Sequence, residues 1–82
     1  MIKRLFLQFD TPAGHILDLF RSDQPLQAAK HTVLHYLKLG ASAEEFVVTF
    51  DGDILDESQT LASLGIPEVA ALVIEHRDTK NR

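Results

Sequence analysis

Residues 45–66, EFVVTFDGDILDESQTLASLGI, restrict what this chain can fold into more than any other stretch. Phe46-Val47-Val48-Thr49-Phe50 is a β-prone apolar run that stops at Asp51-Gly52, a turn dipeptide whose glycine tolerates positive φ. Ile54-Leu55 then resumes an extended apolar pair, so the segment predicts strand, tight turn and short strand. After the acidic loop Asp56-Glu57-Ser58, Thr60 can cap a single helical turn, Leu61-Ala62-Ser63-Leu64. Gly65 closes that turn in the left-handed conformation, with Ile66 as an apolar anchor behind it.

Upstream, residues 3–10 alternate, with Leu5, Leu7 and Phe9 on one face and Arg4, Phe6 and Gln8 on the other, the period of a half-buried strand. Thr11-Pro12-Ala13-Gly14 is a turn in which Pro12 fixes φ and Gly14 permits a bulge or a left-handed residue. In the returning strand, residues 15–20, Leu17 and Leu19 are expected to face inward with the first strand's leucines. Ile16, Asp18 and Phe20 then face outward, and Phe6 meets Phe20 on the solvent side of the hairpin. Pro25 suits the first position of a helix whose apolar residues Leu26, Ala29, Val33 and Leu37 repeat at spacings of three and four. Tyr36 flanks that stripe, able to bury its ring, and Gly40 is the expected C-terminal cap. Ser42-Ala43-Glu44-Glu45 has capping-box spacing. Residues 69–75 read as the last strand, with Leu72 and Ile74 inward and Ala71, Val73 and Glu75 outward. One domain is expected over residues 1–77; from His76 the chain is polar, and residues 78–82 read as a tail or the start of a linker. Two strands, a helix, two strands and a one-turn helix before the last strand give an α+β β-grasp architecture, a mixed sheet with its helix on one face.

Composition narrows the function. A chain of 82 residues makes one domain, and no apolar run approaches the roughly 20 residues of a membrane span. A formal net charge of −4 argues against nonspecific binding to nucleic acid or to an anionic membrane, both of which need clustered Lys and Arg. Cysteine is absent, so no disulfide or thiolate chemistry operates here, which fits a reducing intracellular compartment, cytoplasm or nucleus.

Catalytic groups do not converge. His31 and His35 share a helix face one turn apart, enough for two metal contacts, yet no third or fourth ligand is evident and no metal is expected. Asp51, Asp53, Asp56 and Glu57 lack the spacing of a calcium loop and read as a solvated acidic turn. Neither a nucleophile-elbow serine nor a phosphate-binding glycine loop occurs, so the expectation is a protein that is no enzyme, takes no cofactor and acts by surface recognition.

The succession Phe50-Asp51-Gly52, Ile54-Leu55, Thr60-Leu61 and Gly65-Ile66 resembles the third strand, turn, fourth strand and one-turn helix of ubiquitin-like domains. On that resemblance Val48, Phe50, Leu55, Leu61, Ile66, Leu72 and Ile74 fall where the family places apolar, mostly core residues. Members that become conjugated carry a Gly-Gly tail, whereas Lys80 and Asn81 stand at those positions, which implies a non-conjugated type. The family's receptor-binding apolar patch is only partly kept: its isoleucine corresponds to Thr49, its histidine to Val73, its valine to Glu75 and its turn leucine most nearly to Pro12. Asp53 replaces the best-known chain-forming lysine. Val47 and Val73 are expected to keep part of this face apolar.

Gln24-Pro25-Leu26 and Leu64-Gly65-Ile66 also resemble the SUMO-like branch, which implies peptide binding along the edge running from Ile16 to Arg21, with Lys30 or Lys38 adding positive charge nearby. Asp53-Ile54-Leu55-Asp56 followed by Thr60-Leu61 is equally at home in the ubiquitin-like domains of proteasome-shuttle and adaptor proteins. The resemblance thus implies a monomeric interaction domain of a larger protein in a ubiquitin, proteasome or SUMO-related pathway, with Val47, Thr49, Val73, Glu75, Phe6, Phe20, Ile16 and Arg21 as candidate contact residues. The alternative is an accessory β-grasp subunit of a multi-protein complex without any ubiquitin link.

Overall fold

A computed structural model describes residues 3–77. Its elements are β1 (Arg4–Thr11), β2 (Gly14–Arg21), α1 (Leu26–Tyr36), a 3₁₀ segment (Gly40–Glu45), β3 (Phe46–Phe50), β4 (Asp53–Ile54) and β5 (Val69–His76). The strands form one sheet in the order β2-β1-β5-β3-β4, in which β1 and β5 run parallel and the other neighbours antiparallel. With α1 packed on one face, this is the expected α+β β-grasp arrangement. The core between helix and sheet contains Leu5, Leu7, Phe9, Leu26, Val33, Leu34, Val48, Leu61, Leu72 and Ile74, all essentially without solvent contact.

The first hairpin differs from the expectation, and its turn explains why. Thr11 pairs directly with Gly14, so the loop is the two residues Pro12-Ala13 with no bulge. The Thr11 Oγ1 hydroxyl donates to the Gly14 carbonyl at 2.7 Å and accepts the Ala13 N–H at 3.1 Å, closing the turn. Direct pairing sets Leu5 opposite Phe20 and Phe9 opposite Ile16. Because side chains alternate with period two, this register turns the whole of β2 over. Phe20 and Ile16 therefore face the core, while Leu17 and Leu19 are more than half exposed on the opposite face. Phe6 and Phe20 do not meet; Phe20 packs against Phe9 instead, with ring centroids 5.3 Å apart.

The helix begins one residue later than expected, with Pro25 extended at the N-cap (φ −64°, ψ 148°) and no side-chain cap. Its first free amides find backbone partners across the fold: Leu26 N–H donates to the Gln59 carbonyl at 2.9 Å and Gln27 N–H to the Glu57 carbonyl at 3.0 Å. At the other end Lys38, not Gly40, takes the left-handed conformation (φ 62°). Leu39 N–H bonds the Leu34 carbonyl at 2.7 Å and Lys38 N–H the His35 carbonyl at 3.1 Å, the paired bonds of a Schellman cap. Gly40 opens the 3₁₀ segment. Tyr36 stays largely in solvent, contrary to the expected ring burial.

In the organising stretch, Asp51 and Gly52 both have positive φ (53° and 85°), the signature of a type I′ turn. Thr60 behaves as expected: its Oγ1 accepts the Ser63 N–H at 3.0 Å and its carbonyl accepts the Leu64 N–H at 3.0 Å, making one hydrogen-bonded turn. Gly65 closes it at φ 73°. The loop before it is held to the helix by a contact the sequence did not advertise. Lys30 Nζ is buried, donates to the Phe46 carbonyl at 3.0 Å and pairs with Glu57 Oε1 at 2.6 Å.

Candidate protein-docking surface

One face of the sheet is covered by α1 and the other is open. Outward positions follow from the pairing: Leu19, Phe6 and Val69 stand abreast on β2, β1 and β5; Leu17, Gln8 and Ala71 form the next row; His15, Asp10, Val73, Thr49 and Ile54 form the third. On an open sheet face these positions normally carry polar side chains. Here Phe6, Leu17, Leu19, Val69, Val73 and Ile54 are each at least 40% exposed.

The candidate contact residues separate into two groups. Val73 and Phe6 are exposed on the open face as expected. Val47, expected to be exposed there, is only 2% accessible, and Thr49 only 3%. Glu75 lies opposite Val47 in the ladder and reaches along the face to accept a hydrogen bond from Thr49 Oγ1 at 3.4 Å. Two of the residues aligned with the family's receptor patch, Thr49 and Glu75, are thus occupied with one another. Phe20 is buried, and Ile16 packs against the core, so neither presents its side chain at the free edge of β2. Arg21 is exposed there but is held by Asp23, Nε to Oδ1 at 3.1 Å and Nη2 to Oδ2 at 3.0 Å. Lys30, suggested as a basic guard of that edge, is committed to Glu57 in the interior.

Leu17, Leu19 and Val69 were missed as surface residues. The signal that could have exposed the first two lay in the turn: Thr11 can bond across a two-residue Pro-Ala loop, and a hairpin without a bulge fixes which face each β2 residue takes. His76, read as polar tail, ends β5 opposite Phe46, and the two rings lie against each other at a tilt of 44°, centroids 4.6 Å apart. The expected tail at 78–82, with Lys80 and Asn81, lies outside the described residues.

Charged groups on this surface pair locally. Lys3 Nζ meets Glu68 Oε1 at 2.8 Å, and that hydrogen bond and charge hold the Glu68 carboxyl below its ordinary range. The Ser58 hydroxyl and amide, with the Gln59 side chain, do the same for Asp56. His31 and His35 sit on the exposed helix face with Thr32 and Tyr36 around a shallow depression. Among the described residues no group of three or more His, Cys, Asp or Glu is placed to hold a metal ion, and no helix is long and apolar enough to cross a membrane.

A mixed sheet in the order β2-β1-β5-β3-β4 with its helix on one face is the ubiquitin-like form of the β-grasp fold. Solved structures agree. The chain superposes on Caldiarchaeum subterraneum ubiquitin with a TM-score of 0.78 at 19% identity, over 90% of this chain and 94% of that one. The UBL domain of Plasmodium falciparum Dsk2 matches with a TM-score of 0.74 at 16% identity, over 93% of this chain and 99% of that one. An N-terminal ubiquitin-like domain solved in solution matches with a TM-score of 0.77 at 19% identity, covering 94% of this chain and 78% of that one. No protein-family model and no curated protein sequence matches the chain. At these identities the likeness is one of fold, and the fold of this chain is that of a ubiquitin-like domain.

Proposed function

We propose that this chain is a ubiquitin-like protein-docking module of a larger protein, acting in a ubiquitin and proteasome pathway or a SUMO-related one, in the cytoplasm or nucleus. It binds rather than catalyses, and it is not itself conjugated. The observation that carries the reading is the face opposite α1, where six apolar side chains are exposed. Lys80 and Asn81, at the positions of a conjugating Gly-Gly, support the non-conjugated assignment.

Titrating the isotope-labelled domain with ubiquitin-binding domains, a SUMO-interacting peptide and proteasome receptor subunits tests it. Saturable shifts at Phe6, Leu19, Val69 and Val73 with one of these partners are expected. Silence with every partner overturns it.

The row Leu19, Phe6 and Val69 also favours a second reading, an accessory β-grasp subunit held permanently in a complex. Co-purification with one stoichiometric partner, lost on Phe6→Ser with Leu19→Ser, would select that reading over a transient docking module.

A further inference from the structure

One corner of the open face has a shape and a polarity that specify more than a generic contact. Phe6 pairs with Leu19 on one side and Val69 on the other, and Leu17 follows Leu19 two residues along the same strand face. With strands about 4.8 Å apart and about 3.4 Å per residue, these four side chains cover roughly 10 by 7 Å. Apolar groups gathered in this way on a small domain mark an interaction site.

The rim is charged in one direction. Arg4 and Arg21 are cross-strand partners beside the Leu19–Phe6 row, and like charges directly opposite each other are unfavourable without a third group. Asp23 offsets Arg21; Arg4 has no ion-pair partner among the described residues. At the other end, the Gln8 side-chain amide donates to Asp10 Oδ1 at 2.8 Å, which leaves a carboxylate as the boundary. A locally basic end in a chain of net charge −4 is a departure from its background.

Backbone chemistry selects the kind of element that can sit there. β1 and β5 are interior strands whose amides and carbonyls are engaged in the ladder, so over them the surface offers side chains alone. A partner segment must therefore arrive with its own backbone hydrogen bonds already made, which an α-helix does and an isolated strand does not. Helix residues three and four apart lie about 5–6 Å from each other, a spacing that fits the 10 by 7 Å corner.

We infer that this corner receives an amphipathic α-helix of a partner protein, its apolar stripe over Phe6, Leu17, Leu19 and Val69 and its acidic residues at the Arg4–Arg21 end. The inference rests on the docking-module reading and specifies the partner's chemistry and orientation. Strand addition along the free edge of β2, docking near Val73 and Ile54, and a second copy of the chain are the competing occupants.

The test uses the whole chain and a stapled helical peptide with leucines at i, i+3, i+4 and i+7 and two glutamates at one end. Saturable shifts at the four apolar residues are expected. Arg4→Glu with Arg21→Glu is expected to weaken binding about tenfold, and the same peptide with lysines for glutamates to recover it on that variant. Both arginines are exposed, so an unchanged thermal melt will show that the variant is folded. Equal affinity of the two peptides for the unmodified chain, no saturable binding, or shifts confined to Asp18 and the β2 edge would overturn the inference. So would concentration-dependent dimerisation that hides this corner. A pathway receptor that binds through Val73 and Ile54 would overturn this placement while leaving the docking-module reading intact.

Discussion

The Phe9 and Phe20 rings meet edge to face, centroids 5.3 Å apart and planes at 73°, on the core side of the hairpin register that turns Leu17 and Leu19 outward. Two phenylalanines that alternation alone would pair on the surface thus have opposite fates. Phe20→Ala is expected to cost about 3–4 kcal/mol, lost burial plus cavity, whereas Phe6→Ser on the open face is expected to stay within about 1 kcal/mol. Urea unfolding of the two variants measures the difference. A domain of this size has about 5–10 kcal/mol in total, so the first variant should be close to unfolding.

Lys30 ties three segments together. Its ammonium bonds the first residue of β3 and the Glu57 carboxylate from a position on α1. Removing one partner of a buried pair leaves the other unneutralised, so Lys30→Ala is expected to destabilise by about 3 kcal/mol or more. Lys30→Met together with Glu57→Gln removes both charges and keeps the volume, and should recover part of that loss, the Phe46 carbonyl still lacking its donor. Chemical denaturation of the single and double variants measures the coupling.

Lys38 holds a left-handed backbone conformation that costs a side-chain-bearing residue about 1 kcal/mol relative to glycine. Lys38→Gly should therefore stabilise the domain, raising Tm by about 4–8 °C. Differential scanning calorimetry reads this directly, and an unchanged or lower Tm would contradict the Schellman geometry at Leu39.

Acid should weaken the fold in a defined way. Asp56 and Glu68 have folded pKa values below their ordinary 3.8 and 4.5, through the Ser58 and Gln59 hydrogen bonds and the Lys3 pair respectively. The unfolded chain then binds more protons than the folded one as pH falls. Their stabilisation is present above the ordinary values and is lost as pH drops through them toward the depressed folded values. The urea midpoint should begin to fall as pH drops below about 5 and go on falling below about pH 4, and Asp56→Asn with Glu68→Gln should flatten that fall.

Much of the fold was legible because its signals are local. The alternation of β1, the Asp51-Gly52 turn, the Thr60 cap and Gly65 each depend on residues within a few positions of one another, and each occurs where expected. β2 was not legible, since Ile16, Leu17, Leu19 and Phe20 put apolar side chains on both of its faces. Period two then has no preferred phase, and only the length of the Pro12-Ala13 loop decides. The Lys30–Glu57 pair joins residues far apart in the chain, which no local pattern encodes. For the open face, Phe6 and Val73 were readable from strand alternation, and the same alternation carries Val69, two residues before Ala71 in a strand that starts where expected, to that face. The burial of Val47 and Thr49 was equally hidden, because strand alternation assigns a side chain to a face without saying what covers it there.

Chemical-shift mapping of the labelled domain against the ubiquitin- and SUMO-pathway partners shows which face it docks through. Docking through the open sheet face predicts saturable shifts among Phe6, Leu17, Leu19, Val69, Val73 and Ile54, abolished by Leu19→Ser with Val69→Ser or by Val73→Ser with Ile54→Ser and indifferent to His31→Ala with Tyr36→Ala. Shifts centred on His31, Thr32, His35 and Tyr36, or binding untouched by either pair of open-face substitutions, would contradict it.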